Sequence, residues 1–125
     1  MPLTWSVDPT ERFVVLTIRD PYTFEQWTAA VLDLLENPVF RSTRAIVIDR
    51  RGVEAPSVGF VAPVIEFMAA HAADLARRAA VVVSNGDAAA FGMARMIALR
   101  AEFETPATKL RVFYGYADAV NWVTA

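Results

Sequence analysis

The sequence predicts a single α/β domain: a mixed, mostly parallel five-stranded sheet with four helices, in the order β-β-α-β-α-β-α-β-α. Three observations predict it. Short apolar runs rich in β-branched residues (13–18, 45–48, 79–83 and 110–114) alternate with longer segments whose apolar residues recur at helical spacing. The run at 4–7 is separated from the next only by the turn cluster Asp8-Pro9-Thr10-Glu11, so the first two strands form an antiparallel hairpin. The length of 125 residues suits one domain with a core that needs neither disulfide nor metal.

Each element has its own signals. Thr23 is placed to cap the first helix, with Gln26 three residues on as its capping-box partner. Behind it Phe24, Trp27, Val31, Leu34 and Leu35 fall into one stripe, and Asn37-Pro38 stops the helix. The strand at 45–48 follows, with Asp49 at its exit. The second helical region spans 57–78, with Val61, Ile65, Met68, Ala72 and Leu75 on one face. Pro63 lacks an N–H and crowds the preceding turn, which predicts a late start near Phe60 or a kink. After the strand at 79–83, Ser84-Asn85-Gly86-Asp87 reads as a turn and 88–103 as the third helix. Thr105-Pro106-Ala107-Thr108 leads into the last strand at 110–114, and 116–123 forms the last helix.

Composition narrows the function. Hydrophobic residues make up 55% and charged residues 21%, which argues for a folded chain. With no cysteine there is no disulfide, thiolate metal site or cysteine nucleophile, and the composition suits a cytoplasmic setting. A net charge of −2 without a basic stripe argues against nucleic acid. The start, Met1-Pro2-Leu3-Thr4-Trp5, has no signal-peptide pattern, and the apolar stretches stop short of a membrane span.

Three segments carry a family resemblance: Ile48-Asp49-Arg50-Arg51-Gly52-Val53, Phe91-Gly92-Met93-Ala94-Arg95-Met96, and Val112-Phe113-Tyr114 with residues 117–123. In their order and spacing the chain resembles the STAS domain over nearly its whole length, and in particular the small bacterial SpoIIAA-like (anti-sigma-factor antagonist-like) proteins. The resemblance implies a non-enzymatic regulatory or protein-interaction domain. One departure matters. Anti-sigma antagonists carry an Asp-Ser-(Ser/Thr)-Gly stretch whose serine is phosphorylated. The matching stretch here is Glu54-Ala55-Pro56-Ser57-Val58-Gly59, with Ser57 at the aspartate and Val58 at the phosphorylated position. The acidic-serine pair is missing, so a sigma-factor role does not follow.

The candidate binding residues are Asp49, Arg50, Arg51, Ser57, Ser84, Asn85, Asp87 and Arg95. Loops at the carboxyl ends of parallel strands face helix N-termini, which favour anions and ligands. Adjacent strands would bring the Asp49-Arg50-Arg51-Gly52 turn and the Ser84–Asp87 turn together. Arg50 and Arg51 present donor forks for a carboxylate or phosphate. The plainer arrangement, and the commoner, pairs Asp49 with one arginine and leaves the other in solvent. Ser57 reads as a helix cap before a phosphoacceptor, and Asn85-Gly86-Asp87 as a turn and cap. Arg95 would bond a carboxylate or cap a neighbouring element. Gly92, inside the third helix, suggests close packing against the sheet.

No catalytic centre, metal site or cofactor is expected. His71 is the sole histidine, and Ser84, His71 and Asp87 lack the motif that would assemble a triad. The Phe- and Met-rich second and third helices raise an alternative: binding of a small lipid or anionic metabolite. If strands run in sequential order with crossovers of one hand, helices cover one face only. The other face then needs a cover, and a homodimer partner is one way to supply it. An unidentified protein partner completes the expectation.

Overall fold

The computed structural model describes residues 2–125; Met1, at the head of the N-terminal stretch read above, lies outside them. Five strands form one sheet in sequential order: β1 (Leu3–Val7), β2 (Val14–Ile18), β3 (Ala45–Asp49), β4 (Arg78–Val82) and β5 (Lys109–Phe113). β1 pairs antiparallel with β2, and every other neighbouring pair is parallel. The helices are α1 (Phe24–Leu35), α2 (Pro38–Thr43), α3 (Val58–Ala70), α4 (Ala88–Glu104) and α5 (Tyr116–Val123).

The α/β class and mixed sheet are as expected, but the described residues contain five helices rather than four. The additional one is α2. Asn37-Pro38 does end α1, yet the same pair starts the next helix. The Asn37 side chain accepts hydrogen bonds from the N–H groups of Val39 and Phe40, and Pro38 occupies the first turn, where its missing N–H costs nothing. Arg44, at φ 53° in the left-handed region, closes α2 and turns the chain into β3. The capping box at the start of α1 forms as expected between Thr23 and Gln26.

The second helical region also differs. α3 starts at Val58, ahead of Pro63, and not near Phe60. The carbonyl that Pro63 leaves unbonded is that of Gly59, an exposed residue in the first turn, open to solvent. The helix ends at Ala70, and a single 3₁₀ turn at Ala72–Asp74 leads to β4, so Ala72 and Leu75 fall outside it.

Strand alternation divides the core into two faces. On the first, Val14, Leu16, Ile18, Ile46, Ala79 and Val81 meet α1, α2 and α4. On the second, Val47, Ala80 and Val82 meet α5 through Ala119 and Val123. The second face is thus covered from within the chain. α5 lies across β3, β4 and β5, and the small alanines let its backbone come close. Its lower end is fastened by Arg78, which donates to the Trp122 carbonyl at 2.6 Å and lies over the Trp122 ring, and by Arg12, which donates to the Thr124 carbonyl at 3.0 Å. The uncovered sheet face that motivated a homodimer is therefore absent over these three strands.

Candidate functional site

The carboxyl ends of β2, β3 and β4 set three loops side by side. The Glu54 N–H donates to the Asp20 carboxylate at 2.9 Å, joining the loop after β2 to the loop after β3. The Gly52 N–H donates to Ser84 Oγ at 2.7 Å, joining the loop after β3 to the loop after β4. The aspartate-arginine turn and the asparagine-glycine turn are thus neighbours on one rim. Gly52 and Gly86 both have φ near +80°, a conformation that side chains oppose, and each lets its loop reverse at that point.

The two arginines of the turn do not act together. Asp49 ends β3 on the α5 face and is nearly buried. Arg51 returns to it: Nε donates to one carboxylate oxygen at 3.0 Å, Nη2 to the other at 2.9 Å, and the Arg51 N–H adds a third bond at 3.1 Å. The guanidinium also lies 5.0 Å from the centre of the Tyr116 ring on α5. Burial pushes the Asp49 carboxyl up, but the Arg51 hydrogen bonds and charge, aided by Arg19, outweigh it and hold the group below its ordinary value. Burial foremost, then the charges of Asp8 and Asp49, pushes the Tyr116 hydroxyl above its usual range.

Arg50 turns to the other face. Its Nη1 donates to the Tyr22 hydroxyl at 2.7 Å and its Nη2 to the Glu54 carbonyl at 2.9 Å, and its guanidinium lies over the Tyr22 ring. Arg51 pairing with Asp49 is the plainer arrangement expected from sequence. The other arginine, however, is half-buried and hydrogen-bonded rather than free in solvent. A two-arginine clamp does not form, because consecutive residues leaving a strand point to opposite faces.

The remaining candidates scatter. Ser57 sits at the N-cap position of α3, exposed, and its side chain makes no capping bond. Asn85 is exposed at the tip of its turn. Asp87 caps α4 as expected by accepting from the Ala90 N–H at 3.0 Å. Arg95 is exposed beside Leu99, Glu102 and the β5 residue Arg111 in a shallow groove away from the rim, and no hydrogen bond or ion pair is formed by it among the described residues. Gly92 is not a close-packing residue: it is exposed, and a Cβ there would meet open space. His71 ends α3, its ring tilted against that of Phe67 at 4.4 Å, at the opposite end of β4 from Ser84, so no triad assembles.

The structural counterpart of the Phe- and Met-rich helices, for which the sequence raised small-molecule binding, lies beneath α3. That helix packs chiefly against α4 rather than onto the strands, and between it and the sheet is a partly open cavity of about 140 Å³. Aliphatic and aromatic side chains form nearly the whole wall. Leu16, Ile46, Ala79 and Leu110 make the floor, Val64, Phe67 and Met68 the roof, and Trp27 and Ile97 the sides. The aromatic rings hold α3 off the sheet: Trp27 stacks on Phe24 and meets Phe60 and Phe67 edge-on. Arg50 is the one charged residue on the wall. Tyr22, the hydrogen-bond partner of Arg50, packs edge-on against Phe60 at 5.6 Å. The sequence signal was the aromatic weight of α1 and α3; its consequence as a void is a matter of shape, which periodicity does not encode.

No cluster of three or more metal-ligating side chains and no helix long and apolar enough to cross a membrane occurs among the described residues. No family model, curated protein or solved structure matches the chain.

Proposed function

We propose that this chain is a non-enzymatic, STAS-like regulatory domain of the cytoplasm that lacks the acidic-serine phosphoswitch and responds to a small apolar ligand. The cavity under α3 carries this reading. A well-packed interior has few voids larger than a water molecule. Apolar cavities of roughly 150 Å³ stay dry and take up benzene-sized molecules, and the void here is about 140 Å³. Occupation would add dispersion contacts with the apolar side chains that line it. The bound domain would then differ from the free one in the stability of α3, which joins the cavity to the rim loops. Native mass spectrometry of gently purified protein and thermal shift against a panel of small apolar compounds test it. Binding that disappears in Ala79→Leu, where the new side chain fills the cavity, supports the reading. A chain that binds none of the panel and carries nothing through purification contradicts it.

A second reading, docking of a protein partner or a second copy of the chain, is favoured by a different observation. Met96, Leu99 and Phe103 are exposed along α4, at spacings that place them on one side, and Phe103 is 89% exposed. Capture of a partner that is lost in Leu99→Ser with Phe103→Ser, or a dimer mass in light scattering that the same pair abolishes, would support it. An unchanged monomer with no such capture would count against it.

A further inference from the structure

We infer that the ligand is a compact aromatic or branched carboxylate, its apolar body in the cavity under α3 and its carboxylate on Arg50 and Tyr22. This rests on the cavity reading above and names the chemistry that the cavity selects.

Size comes first. A void of about 140 Å³ holds a single ring or a short branched chain, whereas sites for larger drug-sized ligands run to roughly 300–1,000 Å³. A long acyl chain would have to displace α3 or leave most of its length in water. The polar end comes second. Arg50 stands on the cavity wall with its charge uncompensated: the ion pair formed among the described residues is Asp49–Arg51, on the other face. The two hydrogen bonds that Arg50 makes go to neutral oxygens, the Tyr22 hydroxyl and the Glu54 carbonyl. A guanidinium has five N–H donors, so three remain for a carboxylate. The Tyr22 hydroxyl accepts from Arg50 at 2.7 Å, which leaves its own proton to donate to the same anion. The two groups are held in place before any ligand arrives: Tyr22 by its edge-on contact with Phe60, and Arg50 by the Tyr22 ring beneath it. The wall is therefore apolar with one preorganised cationic corner, which is the complement of a small amphiphilic anion.

The test compares three probes on the full chain by calorimetry: phenylacetate, its neutral isostere phenylacetamide, and palmitate. Phenylacetate should bind at least about tenfold tighter than phenylacetamide, a ratio that one hydrogen bond to a charged group supports. Arg50→Gln should collapse that gap by weakening phenylacetate, and Tyr22→Phe should narrow it, with circular dichroism confirming that both variants fold. Ala79→Leu should abolish binding of both phenyl compounds. Equal affinities for acid and amide, or a gap that Arg50→Gln leaves intact, would overturn the assignment of the carboxylate while leaving the apolar cavity standing. Palmitate binding tightest would overturn the size class. Failure of both phenyl compounds on the wild-type chain would remove the cavity reading, and this inference with it.

Discussion

The two faces of the sheet are covered in opposite styles. On the α5 face, one short helix lies directly on Ala45, Ala80 and Val82, and Ala80, Val82 and Ala119 are left with no exposed surface. On the opposite face the longer helices α1, α3 and α4 cover the sheet, and bulky side chains of α1 and α3 border a cavity. Small residues seat a helix on the sheet; bulky rings at the seam between α1 and α3 hold one away from it. Apolar content does not distinguish the faces, because both are apolar. The shape of the side chains at the contact does.

The largest expected effect sharpens this contrast on the cavity face. Phe40, on α2, is 1% exposed and forms part of the cavity wall. Phe40→Ala should cost ~3–5 kcal/mol in urea denaturation, since the space it vacates adjoins an existing void and cannot collapse. A loss below about 1 kcal/mol would mean that this face repacks freely and that the cavity is not a fixed feature.

The next effect tests the polar end of the α5 face. Asp49→Asn should cost ~1–2 kcal/mol at neutral pH, toward the lower value because water reaches the half-exposed Arg51. The sign with pH follows from the carboxyl being held below its ordinary 3.8. Its contribution is fully present above that value and is lost as pH falls through the lower folded-state value. The stability difference between wild type and Asp49→Asn should therefore shrink in acid below the ordinary carboxylate range. A difference that stays constant down to the acid limit would show that the Arg51 bonds do not carry it.

The smallest effect lies on α4, outside both faces. Gly92→Ala should raise stability by about 0.5–1 kcal/mol, because the residue is helical and a Cβ meets open space. Destabilisation in thermal melts would instead reveal a contact on that surface.

Much of this architecture was legible in the chain. The alternation of apolar runs and amphipathic segments defined the α/β class and the mixed five-stranded sheet, and Thr23 with Gln26 marked the start of α1. The rim neighbours followed from β3 and β4 being consecutive parallel strands. What stayed hidden has physical causes. Asn37-Pro38 serves equally as a stop and as a start, so the pair marks the end of α1 without revealing α2. A glycine inside a helix suggests close packing, but helical periodicity does not say which side of α4 meets the sheet, and Gly92 lies on the exposed side. The separation of Arg50 from Arg51 follows from the strand alternation at Asp49, whose period continues past the end of β3. The placement of α5 on the second face, and the cavity on the first, depend on how far each helix stands from the sheet, which is a property of packed volumes rather than of sequence period.

Ala79 and Ala80 are adjacent on β4, both buried, and point to opposite faces. The decisive measurement is the denaturation free energy of Ala79→Leu against that of Ala80→Leu. The same added atoms should cost ~1–3 kcal/mol at Ala80, where α5 leaves no room, and less than about 1 kcal/mol at Ala79, where the cavity receives them. Equal and large losses at the two positions would contradict the account, for they would show both faces to be filled alike.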